Sequence, residues 1–349
     1  MQPTIAQDVK AQSTVPLITP AKLLRELPVP MNVEKTVAAG REQIRSVLNG
    51  ADSRFMVVVG PCSIHDEEAA LEYAEKLLRC SRQLADRLLV VMRVYFEKPR
   101  TTTGWKGLIY DPHLDQSFDI EAGLRRARSL LLSLADMGIH AGTEFLDPIV
   151  PQYLADLVSW ATIGARTTES QTHRQMASSL NMPVGFKNGT DGNVQVAIDA
   201  AVSARSPHGF LGLDAEGRTA IVRSSGNPDG HLVLRGGNHK PNYDQAAIAQ
   251  AQIQLRDAGV NPQLLVDCSH GNSNKEHQNQ SSALFEVVTQ RMKGNKNIVG
   301  CMLESNLNPG NQHLNGDASG LKYGVSITDA CIGWDETEEL LTWIHRNAS

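Results

Sequence analysis

From about residue 51 onward, short apolar runs closed by Gly, Pro or ionisable residues alternate with longer stretches. In those stretches apolar side chains recur every three or four positions. Phe55–Val59 reads as a strand, and Asp66 as the cap of a helix with Ala70, Ala74, Leu77 and Leu78 on one face. Leu88–Val94 is a second strand, followed by a helix over Ile120–Met137 striped by Leu124, Ala127, Leu131 and Leu134. Ile139–Phe145 and Thr162–Ala165 are the third and fourth strands, with a brief helix at Pro151–Val158 between them and another helix running on to Leu180. Pro183–Phe186 is the fifth, with a helix over Val194–Ala204. The sixth unit is irregular: His208–Leu213 reads as a strand, and Ala220–Val222 and Leu232–Leu234 as extra strands of an inserted β-hairpin at about 212–234. A helix at Gln245–Ala258, strands at Gln263–Cys268 and Ile298–Leu303, and a helix at Ser282–Lys293 follow. Asp335 and Glu338 have the spacing of a capping box for the last helix.

Eight strands alternating with helices predict an α/β protein, a closed (β/α)8 TIM barrel over residues 51–349. A doubly wound open sheet is the alternative, and the absence of a G-x-G-x-x-G after the first strand speaks against it. Residues 1–50, broken by Pro16, Pro20, Pro28 and Pro30, read as an N-terminal extension with helices at Ala21–Glu26 and Val33–Leu48. It is either a loosely packed tail or a subunit-contact and effector arm.

Composition narrows the class. The chain has 349 residues and a net charge of −5, with only 5% aromatics, which disfavours a nucleic-acid surface. Five cysteines, no C-x-x-C pair and no secretory apolar segment suggest a reduced, cytoplasmic protein, and no run is long enough for a membrane span.

Against that mildly acidic background, the loop after the second strand is basic, with Arg93, Lys98, Arg100 and Lys106. Alone it could be a solvated loop. Every other predicted strand also ends in a reactive side chain: Cys62, Glu144, Arg166, Lys187, Arg235, His270, and Glu304 with Asp329 in the loop beyond. A barrel brings all of these to one mouth. Arg93, Lys98, Arg166, Lys187 and Arg235 would repel one another unless a multiply charged anion lay among them. Cys62, His270, Glu304 and Asp329 combine a thiol, an imidazole and two carboxylates, a mixture suited to Mn, Fe, Co or Zn and too soft for calcium or magnesium.

Seven motifs carry a resemblance: GPCSIH at Gly60–His65, RVYFEKPRT at Arg93–Thr101, GARTTES at Gly164–Ser170, GFKNGTDG at Gly185–Gly192, LRGG at Leu234–Gly237, DCSH at Asp267–His270 and SITDAC at Ser326–Cys331. With them the chain resembles the class I 3-deoxy-D-arabino-heptulosonate 7-phosphate (DAHP) synthases from about Pro16 to the last helix. GNPDG at Gly226–Gly230 and CSHGNSNK at Cys268–Lys275 make it most similar to the tyrosine-sensitive form.

The resemblance implies metal-dependent condensation of phosphoenolpyruvate with erythrose 4-phosphate, the first step of the shikimate pathway. It implies that Arg166, Lys187 and the Ala165 amide hold the phosphoenolpyruvate phosphate. Arg93, Lys98 and Arg235 face its carboxylate, with Glu144 close by, and Arg100 and Thr101 take the sugar phosphate. Cys62, His270, Glu304 and Asp329 bind one divalent metal per subunit, with no organic cofactor. Lys98, His270 and Asp329 are the catalytic candidates, Lys98 as proton donor between the two anion sites. Cys62 and Cys331 are expected as separate thiols, or as a pair oxidised after metal loss. Tyrosine is the expected inhibitor, in a pocket matching Pro151, Gln152, Leu180, Asn181, Phe210, Gly212 and Val222, with Asp8 from a neighbouring subunit of a homodimer or homotetramer. Gly212 would leave room for the tyrosine hydroxyl. Condensation with a pentose phosphate, as in 3-deoxy-octulosonate 8-phosphate synthase, and a catalytically silent phospho-sugar sensor are the rival readings.

Overall fold

The computed structural model describes residues 14–314 and 318–348. Two helices come first, α1 (Pro20–Glu26) and α2 (Met31–Leu48). Then follow β1 (Phe55–Gly60), α3 (Glu67–Gln83), β2 (Leu88–Arg93), α4 (Ile120–Met137), β3 (Ala141–Glu144), α5 (Pro151–Leu154) and β4 (Trp160–Ile163). The middle of the chain forms α6 (Gln171–Ser178), β5 (Val184–Lys187), α7 (Gln195–Arg205), β6 (Gly209–Leu213), β7 (Thr219–Arg223) and β8 (Gly230–Leu234). It ends with α8 (Gln245–Asp257), β9 (Leu264–Asp267), α9 (Gln280–Met292), β10 (Ile298–Glu304) and α10 (Trp334–Asn347). The strands close in the order β1-β10-β9-β8-β5-β4-β3-β2, every pairing parallel. This is the expected (β/α)8 barrel.

Local chemistry sets the element ends. Asp66 accepts the Ala69 amide at the start of α3, and Asp119 accepts the Ala122 amide at the start of α4, each satisfying a donor that the helix leaves open. The capping-box expectation fails at α10. Gly333 is its N-cap and offers no side chain to cap the first turn, and Asp335 lies inside that turn, where its charge faces the helix dipole.

The sixth unit also differs from expectation. The barrel strand is β8, Gly230–Leu234, and the inserted hairpin is β6 with β7, Gly209–Arg223, so 212–234 mixes the two. Exposure explains the difference: β6 and β7 alternate exposed and half-buried positions as a two-stranded ribbon does, whereas β8 is buried nearly throughout.

The interior of the barrel is a packed column containing Met56, Val58, Leu89, Val91, Tyr95, Trp160, Val233, Leu265 and Met302. The Trp160 indole fits because β5 offers Gly185, where a Cβ would lie 3.0 Å from Trp160 Cζ2 and 2.7 Å from Val233 Cγ2. Ile44, Val47 and Leu48 of α2 join this column. Arg45 of α2 pairs with Asp229 at 2.6 Å, and Arg41 donates to the carbonyls of Val158 and Ala155. These partners precede β8 and β4, so α2 stoppers the N-terminal end of the barrel; it is not a loose tail.

Candidate active site

At the opposite end, the loops after the strands enclose a cavity of about 610 Å³. Its wall includes Lys98, Arg100, Thr101, Glu144, Ala165, Arg166, Lys187, Arg235, His270, Glu304 and Asp329. Cys62 and Arg93 are fully buried beside it. Residues spread over 267 positions of sequence thus meet at one mouth.

Cys62 Sγ and carboxylate oxygens of Glu304 and Asp329 all lie within 4.8 Å of one another. His270 adjoins them, its Nε2 3.7 Å from Glu304 Oε1. The four expected donors therefore share one region, three as a tight group and the imidazole against Glu304. Their thiol, imidazole and carboxylate chemistry fits a first-row divalent ion. Burial first, and then Glu304, pushes the Cys62 thiol up to about 11, opposed by Lys98. A cation among these ligands reverses that balance and favours the thiolate.

Lys98 Nζ donates to Cys62 Sγ at 3.1 Å and to the Cys62 carbonyl at 3.2 Å. Its loop is pinned on both sides: the Lys98 amide donates to Lys106 O, and the Glu97 carboxyl accepts the amides of Leu146 and Asp147. Arg93 donates to Glu304 at 3.1 Å, while its Nε and Nη1 bond nothing among the described residues. Burial opposes ionising Asp329, but Lys98, His270 and Arg100 outweigh it and hold the carboxyl below its ordinary range.

On the other side of the mouth, Lys187 lies between Glu144 at 3.5 Å and Asp267 at 3.4 Å. Arg166 is exposed and donates to Pro99 O and Thr101 Oγ1, joining the β4 loop to the segment carrying Arg100 and Thr101. Arg235 is set by Asn188, whose buried Oδ1 accepts the Arg235 amide at 2.8 Å and whose Nδ2 donates to Gly236 O. Gly236 has φ +72° and no room for a side chain: a Cβ would lie 2.4 Å from the Gly271 carbonyl carbon.

Sequence reasoning assigned no role to Asp267. It is wholly buried; its Oδ2 lies 3.0 Å from His270 Nδ1, and its Oδ1 accepts the Ser269 amide and hydroxyl. The Ser269 hydroxyl, committed as a donor to Asp267 Oδ1, accepts from His270 Nδ1 at 2.7 Å, so the imidazole proton sits on Nδ1 and Nε2 is left toward Glu304. Burial works against its ionisation, yet His270 and Lys187 hold it well below the usual carboxylate range. The signal in the sequence was a carboxylate ending the apolar run of β9 three residues before His270. Tyr95, Gln280 and Asn188 were likewise missed. Gln280 clasps the Glu304 backbone through both its amide atoms.

The expected effector residues lie on the outer wall. Pro151 opens α5 and is buried, as is Leu180; Gln152 and Asn181 are exposed. Phe210 and Val222 face each other across β6 and β7. The space beside Gly212 is taken up within the hairpin, since a Cβ there would lie 2.6 Å from Val222 Cγ2. Asp8 falls outside the described residues. Cys62 and Cys331 are separate thiols, as are the other three cysteines.

The DAHP synthetase I family matches residues 29–342. The chain is similar to the Tyr-sensitive phospho-2-dehydro-3-deoxyheptonate aldolase of Escherichia coli K12, with 52% identity over 99% of this chain and 97% of that one. It is 53% identical to the Phe-sensitive enzyme of the same organism over 96% of this chain and 95% of that one. A solved phospho-2-dehydro-3-deoxyheptonate aldolase from Francisella tularensis SCHU S4 superposes with a TM-score of 0.95 at 46% identity, covering 97% of this chain and 98% of that one.

Proposed function

The chain belongs to the DAHP synthetase I family, and on that premise we propose how its own side chains carry out the family's reaction. The enzyme is a transferase that condenses phosphoenolpyruvate with D-erythrose 4-phosphate and water, giving DAHP and phosphate, at the head of the shikimate pathway to the aromatic amino acids.

Arg166, Lys187 and the Ala165 amide hold the phosphate of phosphoenolpyruvate. Arg93, Lys98 and Arg235 take its carboxylate, with Glu144 fixing Lys187 between them. Arg100 and Thr101 hold the sugar phosphate. The two hydrogen bonds from Arg166 to the Pro99–Thr101 segment support adjacent phosphate sites. Cys62, His270, Glu304 and Asp329 hold a divalent transition ion, which when bound supplies Lewis-acid polarisation of the aldehyde oxygen. Clustered cations favour the departing phosphate, and fixing both reactants in one mouth lowers the entropic barrier. Lys98 delivers the proton: it lines the mouth and its ammonium bonds Cys62. Its charge survives burial because Cys62, Glu304 and Asp329 outweigh desolvation and raise its pKa.

The observation that carries this assignment is the convergence of every expected substrate and metal residue on or against one cavity. Phosphate release is the test, with erythrose 4-phosphate against arabinose 5-phosphate, each with and without chelator. Chelator-sensitive turnover of the four-carbon sugar is expected. Preference for the pentose phosphate, or no turnover of either, would sink the assignment.

The regulatory reading is tyrosine feedback at the wall formed by α5, the end of α6 and the hairpin, with residues 1–50 as the subunit-contact arm of a homodimer or homotetramer. Similarity to Tyr-sensitive relatives over nearly the full chain supports it. A cytoplasmic location is supported by the five free thiols. Among the described residues no helix is long and apolar enough to cross a membrane.

A further inference from the structure

Tyr95 sits where the apolar column of the barrel meets the charged mouth. Its side chain is a member of that column, it is 1% exposed, and it also lines the cavity. Three cations gather at its ring. Arg93 Cζ is 4.0 Å from the ring centroid, Lys187 Nζ 5.7 Å and Lys98 Nζ 5.8 Å. The residue is anchored at both ends, because its hydroxyl bonds Thr162 Oγ1 at 2.9 Å and its backbone carbonyl accepts the Ile64 amide.

We propose that the π-face of Tyr95 is a neutral floor that holds Arg93, Lys98 and Lys187 together, making Tyr95 a positioning residue for phosphoenolpyruvate. The inference rests on the substrate assignment above and extends it to a residue that touches none of the proposed metal ligands by hydrogen bond. Like charges this close need an attractive partner before substrate arrives. A further carboxylate would supply one, but it would also cancel the charge that the substrate's phosphate and carboxylate must meet. A ring quadrupole attracts cations while carrying no net charge. Arg93 depends on it most: the guanidinium is fully buried, its Nε and Nη1 have no hydrogen-bond partner, and Glu304 is its one ion pair among the described residues.

The test separates ring electronics from ring size. Tyr95→Phe is the reference, followed by Tyr95→4-fluorophenylalanine and Tyr95→3,4,5-trifluorophenylalanine, each in the full-length enzyme with saturating Mn²⁺. Phosphoenolpyruvate affinity is read by calorimetry, KM for each substrate by phosphate release, and folding by thermal midpoint. Tyr95→Phe should stay within about threefold of wild type. Affinity for phosphoenolpyruvate should then weaken stepwise with fluorination, by about tenfold at the trifluoro ring. KM for erythrose 4-phosphate and the thermal midpoint should stay flat. A flat phosphoenolpyruvate affinity overturns the proposal, as does a series in which both substrates and the midpoint shift together, the mark of a packing role. Wild type that binds phosphoenolpyruvate but fails to turn over erythrose 4-phosphate defeats the substrate assignment while leaving Tyr95 to be judged by binding. Wild type that binds no phosphoenolpyruvate defeats both.

Discussion

Replacing Asp267 with Asn changes one atom at the centre of the site. The Oδ1 side is undisturbed, since an amide oxygen can still accept from Ser269 N and Oγ. At the Oδ2 position an NH2 group now faces Lys187 Nζ at 3.4 Å and His270 Nδ1 at 3.0 Å. Lys187 is a donor and cannot yield. His270 can, although in the native site its Nδ1–H is held by the Ser269 hydroxyl at 2.7 Å: with the proton moved to Nε2, Nδ1 accepts from the new NH2 group. That puts a hydrogen on the nitrogen facing Glu304, where a metal ligand needs its lone pair. Loss of such an outer partner lowers metal affinity by about 10- to 100-fold, or roughly 1.4–2.7 kcal/mol. Lys187 meanwhile retains only Glu144 at 3.5 Å as an ion-pair partner among the described residues. Chelator-competition titration of Asp267→Asn and wild type with Mn²⁺ measures the effect, with circular dichroism to establish equal folding. Metal affinity within twofold of wild type in a folded variant would refute the tautomer reasoning.

Lys98→Met should lower kcat by roughly a hundredfold or more while the protein still folds; near-normal kcat removes Lys98 as proton donor. Cys62→Ser should lose metal content together with activity, and full metal occupancy by atomic absorption would contradict the ligand assignment. His231 is buried at the base of the barrel, where its Nε2 accepts the Trp160 Nε1–H. Burial pushes its pKa down to about 4, so its native state binds fewer protons than the unfolded chain between about pH 4 and 6.5. Its contribution is complete above the unfolded value and is lost as pH falls. Urea unfolding at pH 5 against pH 7 should show about 2 kcal/mol less of this contribution, and His231→Gln should flatten that part of the pH dependence. Tyrosine should inhibit more strongly than phenylalanine in a side-by-side assay; the reverse order would overturn the effector reading.

The barrel was legible because a strand buried on both faces leaves an apolar run and an amphipathic helix leaves a 3.6-residue stripe, as over Ile120–Met137, which forms just those bounds. The mouth was legible because each such run ended in a side chain with chemistry, Cys62 and Arg93 among them. The hairpin was not, because GFLGL at Gly209–Leu213 and GHLVL at Gly230–Leu234 have similar β propensity, and only burial tells a ribbon from a barrel strand. Asp267 and Tyr95 both meet Lys187, which is distant from each in sequence, so spacing carries no trace of those two contacts. The role of α2 was hidden for the same reason: an amphipathic stripe does not say which cavity it will fill.

That stopper has a consequence for the birth of the molecule. Ile44, Val47 and Leu48 are made before every barrel strand, yet the ring they seal is completed only when β10 zips onto β1. Until then the end of α2 lacks its closed seat, although the rest of the helix can already pack against α4. Folding to completion therefore waits on one long-range closure, and the unseated end of α2 is where a chaperone would grip.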